Sequence, residues 1–202
     1  MTHARAAAEL AVRDPVMARL VAEVGPPRLG PSRRSPFEAL ARAICFQQLS
    51  GRAAATIYAR LEEALGGAVT PLAVLETPAE QLRRAGLSAA KALSIVDLAA
   101  KVAGGTVPLD DVDKLSDEEL IARLVVVRGV GRWTAEMFLM FQLRRLDVWP
   151  VDDLGVRKGY ARAYGLALVP PPRALGLLGE AFRPYRSVAA WYCWRVMDEL
   201  PG

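Results

Sequence analysis

LVVVRGVGRWTAEMFLMFQL, running from Leu124 to Leu143, is the stretch on which the reading of this 202-residue chain turns. Val125, Val126 and Val127 are β-branched, so its first half has the composition of a short strand. It follows too soon, however, on Ser116-Asp117-Glu118-Glu119, a helix start whose first-turn acids complement the helix dipole. A parallel strand would need a longer crossover. The better reading is a helix ending at Arg128, a tight turn at Gly129-Val130-Gly131, and a second helix opening between Arg132 and Thr134. The segment is a helix, a hairpin and a helix.

Helix punctuation continues on both sides. Ser35-Pro36-Phe37-Glu38 is a capping box with proline at the first helical position, and Phe37, Leu40, Ala41, Ile44 and Cys45 follow at helical spacing. A helix from Arg52 to Leu65 should stop at Gly66-Gly67. Thr77-Pro78-Ala79-Glu80 has the pattern of another capping box, with a short helix ending near Gly86, and Ser88 caps the next, which ends at Gly104-Gly105. Beyond the hairpin come the loop Trp149-Pro150-Val151-Asp152-Asp153, a helix, Pro170-Pro171-Pro172, and a last helix after Pro184. Gly25 to Ser35, with Pro26, Pro27, Pro31, Arg28, Arg33 and Arg34, is a basic connector. The fold class expected is all-α.

Composition narrows the function. Hydrophobic residues make up 52% and charged residues 24%, which is ordinary for a folded chain. A net charge of +4 and a pI near 9.3 suit a polyanionic partner without requiring one. Cys45 and Cys193 lie in apolar stretches and read as buried free thiols, which excludes a disulfide framework or an all-cysteine zinc site. His3, the lone histidine, falls in an N-terminus expected to be frayed, which argues against histidine-based metal or triad chemistry. No apolar run reaches the ~18 residues of a membrane span, and no signal peptide is recognisable. The expected location is cytoplasmic, at the nucleoid in a bacterium.

Two glycines two apart, followed by a helix N-terminus, aim backbone N–H groups outward and let a partner approach the main chain. That arrangement holds a phosphate without reading sequence. A GxG turn alone is also what ordinary helix joints use, so its meaning depends on company. That company is present. Arg128-Gly129-Val130-Gly131-Arg132-Trp133-Thr134-Ala135 resembles the hairpin of the helix-hairpin-helix DNA glycosylase superfamily, and Val151-Asp152-Asp153-Leu154-Gly155-Val156-Arg157 falls where that superfamily keeps a catalytic aspartate. Ile44-Cys45-Phe46-Gln47-Gln48-Leu49-Ser50 resembles its DNA-wedge turn, and Arg183-Pro184-Tyr185-Arg186-Ser187 its C-terminal pocket helix. In order and spacing the four are similar to the alkylation-repair branch, 3-methyladenine DNA glycosylase II, over roughly Ser35 to Leu200.

The resemblance implies two helical lobes with the active-site cleft between them: a barrel lobe over 36–145 holding the hairpin, and a second lobe made of 1–35 and 146–202. It implies a minimal form without the N-terminal sheet domain of larger relatives. Asp153 is the implied catalytic residue, since a carboxylate stabilises the oxocarbenium character that builds on the sugar and can orient or deprotonate the attacking water. Asp152 is then a helix cap or a supporting acceptor in the pocket, and plain N-capping would account for either aspartate. Trp133, Tyr185 and Phe46 are candidate pocket walls, because an alkylated, cationic base stacks well on electron-rich rings. Trp191, Trp194 and Phe138 read as core aromatics. Met137 stands where some relatives place a pocket aromatic.

Gln48 is implied as the residue that fills the gap left by a flipped base, with Gln47 beside it and Leu49 behind. Some relatives use an apolar wedge there, so Leu49 is a second candidate. Arg128, Gly129, Val130, Gly131, Arg132 and Thr134 are the implied DNA contacts of the hairpin. Trp133 occupies the position where bifunctional members carry a Schiff-base lysine, so no lyase activity is expected. No cofactor is required. A structural Na+ or K+ is implied at the main-chain carbonyls of Val125, Val127 and Val130. The expected partner is double-stranded DNA containing damaged bases, bound by a monomer with no membrane and no obligate protein partner. The rival expectations are a damage-binding protein without catalysis and a glycosylase for oxidised or mispaired bases.

Overall fold

The computed structural model describes residues 1–27, 30, 32–49 and 51–197. Arg28 and Pro31 of the basic connector, Ser50 of the wedge turn, and Leu200 lie outside the described residues. Every regular element among the described residues is helical. None of these helices is long and apolar enough to cross a membrane.

Backbone contacts divide the chain into a terminal unit, 1–31 with 139–201, and a middle unit, 32–138. The boundary falls earlier than 145/146, where the sequence placed it. The chain after residue 142 is stitched to the terminal unit's own elements: Arg144 reaches His3, and Leu146 O accepts from Ser187 N at 3.0 Å.

The terminal unit opens with α1 (His3–Arg13) and α2 (Pro15–Val24), two helices that the sequence reading did not anticipate. Thr2 caps the first, and Asp14 caps the second by accepting from Met17 N at 2.8 Å, with Pro15 at the first helical position. The expectation of a frayed N-terminus is therefore corrected, and His3 is buried in α1 rather than exposed. The unit's later helices are α10 (Leu154–Ala163), α11 (Pro172–Gly179) and α12 (Arg186–Met197). Ser187 to Trp194 are all buried, so α12 is enclosed on every side, which is what a central helix requires. It packs against α1, α2 and α10.

The crossing with α10 is set by Gly159, where a Cβ would stand 2.0 Å from the carbonyl oxygen of Cys193. No side chain fits there without moving backbone, so Gly159→Ala should cost about 3 kcal/mol or more, read as a large fall in Tm.

The middle unit contains α3 (Pro36–Phe46), α4 (Gly51–Ala64), α5 (Pro71–Glu76), α6 (Ala79–Arg84), α7 (Ala89–Ala103), α8 (Asp117–Leu124) and α9 (Arg132–Met137). The last widens into a π-turn over Phe138–Gln142. α7 touches α3, α5 and α6, and its Ile95, Leu98 and Ala99 are buried. Ser35, Ser88 and Ser116 cap α3, α7 and α8, and Ser116 with Glu119 forms the reciprocal capping box. Thr77 does not cap α6: its hydroxyl donates back to Ala73 O at 2.7 Å, closing the end of α5. α8 stops at Leu124 rather than Arg128, because Val127 N bonds Leu124 O in a tighter turn at 3.1 Å.

Burial and the neighbouring Arg144 guanidinium hold the His3 pKa below its ordinary 6.5. The unfolded chain therefore takes up a proton near pH 6.5 that the native chain refuses, so this contribution to stability is present above that pH and is lost below it. Because the chain has one histidine, Tm should fall between about pH 7 and about pH 5, and His3→Gln should flatten that fall in a thermal-melt series.

Candidate functional site

In the middle unit, the hairpin and the turn after α3 are joined by side chains. Gln47 Nε2 donates to Gly129 O at 2.9 Å and to Thr134 Oγ1 at 3.1 Å. Its amide braces the turn after α3 against the hairpin. Lys91 Nζ donates to Cys45 O at 2.8 Å and to Gln47 O at 2.7 Å, satisfying carbonyls that the end of α3 leaves without helical partners. Gln48 follows with φ at 55°, a conformation rare for a side-chain-bearing residue, and it and Leu49 are exposed. The turn thus directs Gln47 inward and presents the next two residues to solvent.

The two hairpin glycines do different work. Gly129 has φ at 73° and sits against α7, where a Cβ would meet Ser94 Oγ at 2.5 Å. Gly131 has φ at −92°, and a Cβ there would meet nothing within 4 Å. Its conformation is open to any residue, so the argument from backbone freedom applies to Gly129 alone. Arg128 N donates to Asp97 Oδ2 at 2.7 Å, and Asp97 also pairs with Lys101. Arg132 is held by Glu118, with one contact of 3.0 Å, and by Glu136 at 3.1 Å. The hydrogen bond to Glu118 pushes the Arg132 pKa still higher, so its charge is permanent, and at the surface it is paired with the Glu118 and Glu136 carboxylates.

Among the pocket candidates of this unit, Phe46 is half-buried beneath Arg42, whose guanidinium lies 3.7 Å from the ring centroid. Trp133 is half-buried and Met137 buried. The carbonyls of Val125, Val127 and Val130 belong to the turn at the C-terminal end of α8, where Val125 N bonds back to Ile121 O and Val130 N bonds to Val127 O. Peptide oxygens at the negative end of a helix are the donor set a monovalent cation takes, and a carbonyl bonded once keeps a second lone pair.

In the terminal unit, Asp153 is the N-cap of α10 and is only 7% exposed. Its Oδ1 accepts from Val156 N at 2.7 Å and from the Trp194 indole at 2.9 Å. Trp194 is 1% exposed and stacks on Phe141, so the core assignment was right, but its donor role was missed. Nothing local signals that role, since the two residues are 41 apart in sequence. Asp152 is exposed, and the cap it was expected to supply comes from Asp153. Tyr185 is buried, with its hydroxyl donating to Glu9 Oε2 at 2.6 Å and Arg13 over its ring at 5.4 Å. The hydrogen bond to Glu9 raises the pKa of that phenol. Trp191 and Phe138 are buried as expected.

A helical fold with a glycine hairpin joining α8 to α9 and a buried N-cap aspartate fits one class. The model of the HhH-GPD superfamily, base excision DNA repair proteins, matches residues 41–178, and the chain belongs to that superfamily. DNA-3-methyladenine glycosylase 1 of Schizosaccharomyces pombe is 38% identical over 183 residues, 88% of this chain and 80% of that protein. An alkylbase DNA glycosidase-like protein of the same yeast is 34% identical, covering 95% of this chain and 92% of its own length. The solved S. pombe 3-methyladenine DNA glycosylase in complex with abasic DNA superposes with a TM-score of 0.86 at 35% identity, over 98% of each chain.

The two glycines give a direct comparison in thermal unfolding. Gly129→Ala should cost about 1–3 kcal/mol from backbone strain and the clash with Ser94. Gly131→Ala should stay within about 0.5 kcal/mol of the wild type.

Proposed function

We propose that this chain is a monofunctional DNA glycosylase of base excision repair, one that flips alkylated bases of the 3-methyladenine type from duplex DNA and hydrolyses their N-glycosidic bond. The observation that carries the reading is Asp153, a carboxylate buried to 7% exposure with Oδ1 fixed by Val156 N and Trp194. The relatives' names supply the substrate class, and abasic DNA, the partner in the solved yeast complex, is what base removal leaves behind.

Alkylation at a ring nitrogen gives the base a positive charge, and the base departs with the electrons of its bond to the sugar. Positive charge then builds on the sugar, and the Asp153 carboxylate opposes it without reorganising at that moment. Water adds to the sugar carbon and gives up a proton, for which the same carboxylate is the acceptor. Extrusion of the base costs a few kcal/mol, least at a damaged pair, so lesion weakness contributes to selection. Gln48, with Leu49, fills the vacated space. Trp133, Tyr185, Phe46, Met137 and Asp152 are each candidates for contact with the flipped base.

Backbone N–H groups of Gly129 and Gly131 hold a phosphate, with Val130, whose own N–H is bonded to Val127 O, between them and Arg128 and Thr134 beside it, and the open space at Gly131 lets the strand approach the main chain. A bound Na+ or K+ would be held by the carbonyls of Val125, Val127 and Val130 and would supply positive charge to the hairpin. Trp133, in the Schiff-base position, leaves no amine there for lyase chemistry. The enzyme acts as a monomer where the chromosome lies, which in a bacterium is the cytoplasm.

Release of free methylated bases from alkylated duplex DNA, compared with Asp153→Asn, tests the reading. Asparagine still caps a helix, so the variant should fold and bind DNA while excision falls ~100-fold or more. Damage-dependent binding with no release by the wild type would make the chain a damage sensor, and release confined to oxidised or mispaired bases would move its substrate class.

A further inference from the structure

Three residues on one face of α7 touch both of the loops assigned to DNA. Lys91 holds the wedge turn through two main-chain carbonyls, Cys45 O and Gln47 O, at 2.8 and 2.7 Å. One turn on, Ser94 meets Gly129, and a further turn on Asp97 accepts from Arg128 N at 2.7 Å. The spacing i, i+3, i+6 keeps all three on neighbouring turns of the same helix. Gln47 closes the triangle from the other side, running from the wedge turn to Gly129 O and Thr134 Oγ1.

The two loops are remote in sequence, at 45–49 and 128–134, and nothing covalent fixes the distance between them. We propose that Lys91 and Asp97 are positioning residues, which make α7 a strut that holds the wedge turn and the hairpin at one separation, and that this separation governs base flipping rather than attachment to duplex. The proposal rests on the glycosylase reading.

The physical argument is one of register. The hairpin grips a phosphate, which locates the protein along the strand, and the wedge must then enter the stack at one step measured from that grip. Backbone carbonyls bonded by a Lys91 amine cannot shift without losing two hydrogen bonds to a charged donor, each stronger than a neutral one. Without that amine the wedge turn keeps its Gln47 bonds to the hairpin but loses its tie to α7, which fixes where it stands. Phosphate binding, which depends on the hairpin alone, is left in place. Misplacement by about an ångström far from the reacting atoms can cost up to ~100-fold in rate.

Lys91→Met, Lys91→Arg and Asp97→Ala should be compared with the wild type in three measurements. These are affinity for undamaged duplex, affinity for duplex carrying a stable abasic-site analogue, and single-turnover base release from paired and from bulged, unpaired lesions. Lys91→Met should keep undamaged-duplex affinity within about twofold, lose ~10-fold or more of its preference for the abasic analogue, and excise paired lesions ~10-fold or more slowly. Bulged lesions, already out of the stack, should recover most of that rate. Lys91→Arg should restore the preference. Asp97→Ala, at a half-exposed position, should lower the same preference from the hairpin end, and it keeps the test open if Lys91→Met fails to fold.

An equal loss of affinity for every duplex, or a rate defect that bulged lesions do not relieve, would overturn the strut. Absence of base release by the wild type would overturn the glycosylase reading alone, because the abasic-analogue preference is measured without chemistry.

Discussion

A carboxylate taken out of water must recover the hydrogen bonds it gives up, and helices α10 and α12 each bring Asp153 a donor. The N–H of Val156 belongs to the first turn of α10, where such groups have no helical acceptor. The indole belongs to Trp194, deep in α12. This second bond works only while the two helices stay close enough for an aromatic side chain from one to reach the cap of the other. Gly159 is what allows that approach, since its missing side chain leaves room for the Cys193 carbonyl. A helix crossing fixed at a glycine therefore decides where the Asp153 carboxylate points.

The middle unit follows a different economy. Its hairpin has one glycine constrained by the protein and one whose surroundings are open. Its arginines are unequal as well: Arg132 is neutralised by Glu118 and Glu136, while Arg128 contributes its backbone N–H to Asp97.

Helix starts in this chain were readable wherever a serine preceded the right neighbours, as at Ser35, Ser88 and Ser116. Asp14-Pro15 carries the same signal for α2, whose cap and first-turn proline are both in the sequence. Thr77 gave a false signal because its hydroxyl had a nearer acceptor in the helix behind it. The hairpin was legible from local pattern, whereas Asp153 was singled out by the resemblance and local pattern offered only a helix cap there. The Trp194 bond, the Lys91 contacts and the inward turn of Gln47 were not legible, since each depends on helices that meet only after folding. The i,i+4 pair of Arg132 with Glu136 could have been found by spacing, whereas its partnership with Glu118 spans the hairpin.

Both cysteines are buried and unbridged. Burial pushes the Cys45 thiol up to about 12 and raises that of Cys193 as well. At neutral pH only about one Cys45 in ~100,000 is then a thiolate, the form that attacks electrophiles. The agents that methylate DNA are themselves electrophiles, so a protein that works amid such damage meets them along with its substrate. Protonated and buried, these two thiols are poor targets for the agents that create the enzyme's substrate.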